Sequence, residues 1–274
     1  MKTTSPLIVL ASLLAPFVGS SVGALYFQDF TAPDGTTGSG LGDGSFIASN
    51  QPGNPGTVQG NQLVLTDALV GDTRSSFRIP AVANSSLGWI ATFDFTLADI
   101  AGGNPPADGF SFNYGAIPDF NPAQGDLAAP DSHGQGEEGW GAVEHISFEI
   151  DTWMVGDAEH GFNIAGNVGG VQQDFAFLNT DVITDGQSIS GTAVFSWDPI
   201  NGASMSSDLT GPIFTNVPTG TFTGNDDYVF AFGARTGGAT EDVFIDNLSI
   251  STIPEPGALA LLALGALPFL RRRR

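Results

Sequence analysis

The sequence predicts an all-β protein, an antiparallel jelly-roll β-sandwich with a hydrophobic targeting segment at each end. Short runs of alternating apolar and polar residues recur through residues 25–252, and clusters of Gly, Pro, Asn and Asp separate them. No stretch between them shows a helical period. With no helices to cross over between parallel strands, the strands must form antiparallel sheets packed face to face. The absence of a fixed internal repeat argues against a propeller or solenoid.

The two ends read as addresses. Lys2 precedes an apolar run from Leu7 to Val18, and the small residues Val22-Gly23-Ala24 follow, the order of a signal peptide cleaved after Ala24. Leu25 to Phe30 then reads as a first strand. At the other end, Pro254-Glu255-Pro256 leads into an apolar stretch from Gly257 to Leu270 and four arginines. This order resembles the PEP-CTERM sorting signal of Gram-negative bacteria, with a plain membrane anchor as the alternative. The stretch is shorter than the roughly 17–25 residues of an ordinary spanning helix, and the arginines would keep its end on the cytoplasmic side. The resemblance implies a short transmembrane segment that parks the protein in the inner membrane. An exosortase would then cut near Pro254, Glu255 and Pro256 and pass the product to the cell surface or extracellular matrix. The expected organisation is a signal peptide at 1–24, a sandwich at 25–252 and a sorting tail at 253–274.

Composition narrows the chemistry. The 274 residues include no cysteine, so thiol redox chemistry is excluded and stability must come from the core, from bound metal or from both. Residues 25–252 hold 28 acidic residues against Arg74, Arg78 and Arg235. Such a polyanion is a poor partner for nucleic acid. It suits divalent cations or neutral ligands such as glycans, or simply keeps the surface soluble.

In the run from Trp89 to Leu97, Trp89, Ala91, Phe93, Phe95 and Leu97 share one face and Thr92, Asp94 and Thr96 the other, the pattern of a half-buried strand. Further strands are expected at Phe110–Tyr114, Ile146–Thr152, Gly161–Ile164, Ile189–Trp197, Tyr228–Ala234 and Val243–Ile250. Gly38–Gly60 and Pro118–Gly141 read as long surface connections, the places where binding usually sits on a rigid scaffold.

Within Ser147-Phe148-Glu149-Ile150-Asp151-Thr152, the two-residue period puts Glu149 and Asp151 on one face and Phe148 and Ile150 on the other. Asp157 and His160 follow in a turn. These four side chains either converge on a cation, as hard oxygens with one imidazole can, or lie solvated on an outer sheet face. Without a cation, adjacent carboxylates repel and one pKa rises.

Ala107-Asp108-Gly109-Phe110-Ser111-Phe112, then Phe148 to Trp153, then Phe230 to Gly238 follow one another in an order that resembles the L-type (legume-type) lectins. The resemblance spans most of the middle of the chain through short motifs. It implies a concanavalin-like sandwich that binds a polysaccharide or other glycan without catalysis. Asp108 would match the family's sugar-binding aspartate, joined to Ala107 by a cis peptide, and Gly237 and Gly238 would border the sugar. Glu149, Asp151, Asp157 and His160 would match metal positions, with the Trp153 carbonyl as a calcium ligand. The chain departs from the family at Val155, where an asparagine is usual, and in the short spacing from Asp157 to His160. The resemblance therefore implies one calcium ion at most, without a second metal.

Glu149-Ile150-Asp151 also resembles the start of the laminarinase-type glycoside hydrolase motif. Retaining hydrolysis needs two carboxyl groups roughly 5–5.5 Å apart. Trp153 or Met154 stands where the second glutamate is required, and Glu159 is too far along for the same strand face. A structural matrix protein without a defined sugar site is a further alternative. His133 and His145 read as structural or exposed, the glycines of residues 134–139 make a poor phosphate cradle among acids, and Trp197 reads as core. Trp140 and Trp153 suit either core or glycan stacking.

Overall fold

The computed structural model describes residues 25–51, 55–100, 105–118, 143–153 and 160–253. Among the described residues fifteen strands, numbered in chain order, build two antiparallel sheets. The eight-stranded sheet runs β13 (Gly211–Val217), β12 (Gly202–Ser207), β11 (Ser188–Asp198), β6 (Trp89–Ala98), β15 (Asp242–Thr252), β4 (Gln62–Thr66) and β3 (Thr57–Gln59), with β1 (Leu25–Gln28) also on β15. The seven-stranded sheet runs β10 (Val171–Asn179), β9 (Gly161–Val168), β8 (His145–Asp151), β7 (Gly109–Gly115), β14 (Val229–Arg235), β5 (Arg74–Ile79) and β2 (Phe46–Ser49). The all-β sandwich expected from periodicity is the fold observed.

Along the edge opposite β6, with which its ladder carries a bulge between Asp246 and Ser249, β15 serves two partners. Its first half pairs with β4, Val243 opposite Thr66, and its second half pairs with β1, Ile250 opposite Tyr26. An extra residue bends and twists a strand without ending it.

The core lies between the sheets. Trp89, Ala91, Phe93, Phe95 and Leu97 of β6 all point into it. They meet Phe110, Phe112 and Tyr114 of β7, Phe148 of β8, and Phe230 and Phe232 of β14, largely in edge-to-face and tilted contacts. Trp197 is core, as expected, and its indole nitrogen donates to Thr219 Oγ1 at 3.0 Å.

Two expectations change. The stretch Gly38–Gly60 is not one long connection, because β2 and β3 lie within it and Gly38 bridges to Ile47. Strands of four and three residues are too short to display an alternation. The outer face of the seven-stranded sheet is also not solvated. Ser111, Asn113, Ser147, Glu149, Asn167 and His145 are buried there, so β7 and β8 are buried along their whole length instead of on alternate residues. His145 is structural: its Nδ1 lies 2.7 Å from the Val143 carbonyl oxygen, and burial holds its pKa below the usual histidine value.

No helix among the described residues is long and apolar enough to cross a membrane. Asp157 and the sorting residues Pro254, Glu255 and Pro256 lie outside the described residues, as do Trp140 and residues 1–24.

Candidate functional site

One end of the sandwich gathers the chemistry. There β7 begins, β8 ends, β14 ends and β15 begins, so antiparallel pairing brings Gly109, Asp151 and Arg235 side by side from three strands. Gly109 has a positive φ of 106°, and a Cβ there would run into the Ile150 backbone. Only glycine lets the strand start so close to β8.

Asp108 stands just before this point and is joined to Ala107 by a cis peptide bond. Its backbone N–H donates to the Arg235 carbonyl and its own carbonyl accepts from Thr152 N–H, each at 3.2 Å. Its carboxylate Oδ2 accepts a hydrogen bond from Arg235 Nε at 2.7 Å. Asp108 is thus tied to both neighbouring strands and is 7% exposed.

The loop after β14 lies beside it. A Cβ on Gly237 would sit 3.9 Å from Asp108 Oδ2, and one on Gly238 would meet nothing within 4 Å. Gly237 O accepts from Asp72 N–H at 3.1 Å, Thr236 Oγ1 donates to Val70 O at 2.9 Å, and Thr240 Oγ1 bonds Ala68 O. The loop of residues 67–73 therefore holds the glycine loop in place. A Cβ on Gly71 would come within 2.8 Å of Gly237 O, tighter than carbon and oxygen tolerate. Gly71→Ala should displace the Gly237 backbone from Asp108. The melting temperature should change little while the amide resonances of Asp108 and of Thr236 to Gly238 shift, read by thermal unfolding and NMR; unmoved resonances would mean that the loop does not shape the site.

Glu149 and Asp151 share one face of β8, as the period requires. Glu149 Oε2 accepts from Asn163 Nδ2 at 3.1 Å, and the same nitrogen is 3.1 Å from Asp174 Oδ1. Asp151 Oδ1 accepts from Trp153 N–H at 2.8 Å, turning the chain as it leaves the strand. His160 Nε2 lies 3.1 Å from Asp181 Oδ1, one residue before Gly161 pairs with Asp151.

The sequence reading missed Glu241. Its side chain is completely buried, Oε1 accepts from Thr152 Oγ1 at 2.8 Å, and Oε2 has no hydrogen-bond partner. Burial, reinforced by the charges of Asp108, Asp151 and Asp99, pushes its pKa up to about 8. A signal was present: Glu241 has the same strand parity as Val243 and Ile245, which face the core. In the sequence Arg235 stands out only as one of three arginines of the acidic segment, and its pairing with Asp108 emerges from the fold.

The donor set suits a hard divalent cation. Carboxylates predominate, and an orphaned carboxylate oxygen is buried behind them. Glu149 and Asp151, with the Trp153 carbonyl, are the described residues that would hold such an ion, whose role would be to neutralise and order the end of β8. Among the described residues no three acids or histidines come together as a complete cage.

No family model and no curated protein matches the chain. Solved structures do. The exoplasmic domain of VIP36 in its metal-free form is 14% identical, with a TM-score of 0.53 over 85% of this chain and 92% of that one. The fold is that of the L-type lectins. The same VIP36 domain bound to Ca2+ and Man3GlcNAc gives a TM-score of 0.52 at 14% identity, over 75% of this chain and 84% of that one. A Bauhinia forficata lectin in complex with GalNAc gives 0.50 at 17% identity, over 84% and 97%. At these identities the likeness is one of architecture.

Proposed function

We propose that this protein is an exported, non-catalytic glycan-binding protein whose site is the Asp108 end of the sandwich. The observation that carries the reading is the convergence of Asp108, the Gly237–Gly238 loop and the carboxylates of β8 at one place. Asp108 would accept hydrogen bonds from sugar hydroxyls, the loop would border the ring, and one calcium ion at Glu149, Asp151 and Trp153 would steady the strand end. The fold shared with lectins that were solved with Man3GlcNAc or GalNAc supports this assignment. Catalysis is disfavoured because neither Trp153 nor Met154 supplies the second carboxyl group that the hydrolase motif requires after Asp151. Signal peptidase and exosortase processing of the terminal segments would then deliver the protein to the cell surface or an extracellular matrix.

The test is calorimetry of the purified protein with calcium, followed by a broad glycan array with and without chelator. Calcium should bind, Asp151→Ala should abolish that binding, and glycan signal should depend on Asp108. An array silent in both conditions would dispose of the glycan reading.

A further inference from the structure

We infer that the site selects acidic glycans, and that Arg74 and Arg235 form the step that recognises their carboxylates. This rests on the glycan-binding reading and names the class of sugar. Residues 25–253 contain only three permanent cations, Arg74, Arg78 and Arg235, in a segment with 28 acids. All three lie on two adjacent strands. Arg74 of β5 stands directly opposite Arg235 of β14, and Arg78 stands opposite Ala231, two positions from Gly233 along the same face. Paired residues in an antiparallel ladder project to the same side, with Cβ atoms about 4.5–5.5 Å apart.

Like charges placed directly opposite one another weaken a sheet. The arrangement is the more unusual because acids are abundant enough to occupy either position. Asp108 compensates Arg235 through the 2.7 Å ion pair. Arg74 has its backbone N–H bonded to Asn50 Oδ1 at 2.7 Å, which fixes its strand position, whereas its guanidinium makes no hydrogen bond or ion pair to any described residue. The pair thus leaves positive charge beside the candidate sugar aspartate. A local conflict of this kind is expected where function, rather than stability, sets the residues. A guanidinium is planar, always charged and matched to a carboxylate through two parallel N–H bonds. A uronic acid whose ring hydroxyls bond Asp108 would place its carboxylate over the arginine pair.

Acids elsewhere in the domain oppose this only at a distance, whereas Asp151 and Asp72 stand at the same end, so the direct contact with the arginines has to outweigh them. Beyond about 8–10 Å exposed charges are screened at physiological salt, whereas a carboxylate in contact with arginine is not. Long, densely charged polyanions would still meet the acidic surface, which favours a short uronate segment over nucleic acid.

The test uses the full chain and oligosaccharides containing galacturonate, mannuronate or glucuronate, each beside its carboxyl-reduced counterpart. At least one acid form should bind tenfold or more tightly than its reduced form. The preference should shrink as salt is raised, persist in chelator, and drop at least fivefold in Arg74→Gln. Because Arg74→Gln removes a repulsion and no hydrogen bond, its melting temperature should not fall. Reduced forms that bind as well as acid forms would overturn the inference while leaving the glycan reading intact. A preference lost in chelator but kept in Arg74→Gln would also overturn it, assigning the selectivity to calcium. Failure of every member of every pair would overturn both.

Discussion

Trp89→Ala should destabilise the protein by roughly 3–5 kcal/mol, whereas Trp89→Phe should cost less than half as much. Trp89 is fully buried and touches the rings of Phe112, Tyr114, Phe148 and Phe230 at centroid distances of 5.1–5.8 Å, so it bridges the two sheets at one end of β6. Truncation removes these contacts and leaves a cavity among rigid neighbours that cannot collapse into it. Phenylalanine keeps one ring and removes the indole N–H, which has no hydrogen-bond partner in the core. Relieving an unsatisfied buried donor recovers about 1–3 kcal/mol, offsetting much of the lost area. Trp197 is the control. It stands opposite Trp89 in the β6–β11 ladder, but its N–H reaches Thr219 Oγ1. Trp197→Phe therefore loses a hydrogen bond as well as area and should be the more damaging phenylalanine substitution. Denaturant unfolding followed by circular dichroism would decide the order; equal costs for the two would show that the indole hydrogen bond contributes nothing.

These residues also mark what could be read in advance. The strand from Trp89 shows its alternation because one face is core and the other is polar and wetter. The neighbouring seven-stranded sheet obeys the same period, yet its outer polar residues are buried too, so polarity at Glu149 and Asp151 did not mean exposure. Period tells which residues share a face; it does not tell what covers that face. The strands left unread fail for different reasons. β2 and β3 are too short, and β12 apart from Met205 is built of Gly, Ala and Ser that hardly contrast. Asp108 and Gly237 were found through motif order and do stand side by side. Arg235 and Glu241 needed the ladder: the first matters because of what stands opposite it on β5, and the second because Thr152 arrives from another strand.

Glu241→Gln should raise stability above neutral pH and flatten its dependence on pH. The carboxyl of Glu241 has its pKa pushed from the ordinary 4.5 to about 8, first by burial and then by the charges of Asp108, Asp151 and Asp99, against the opposing hydrogen bond from Thr152. Between these values the folded chain holds a proton that the unfolded chain has released. Stability is therefore fully present below about pH 4.5, falls as pH rises through 8, and stays reduced beyond it. At 1.36 kcal/mol per unit of separation, the loss approaches roughly 5 kcal/mol at alkaline pH. Glutamine cannot ionise, and its amide oxygen can still accept from the Thr152 hydroxyl. Its amide nitrogen also brings a donor to the place where Oε2 has no partner. Melting temperatures measured from pH 5 to 9 with chelator present should converge for the two proteins at the acid end and diverge at the alkaline end, the variant lying higher. Parallel curves would mean that the Glu241 proton is not held by the fold. Divergence would locate, in a single side chain, the cost of packing this many carboxylates at one end of the sandwich, and calcium added in place of chelator should then narrow the gap by supplying the missing positive charge.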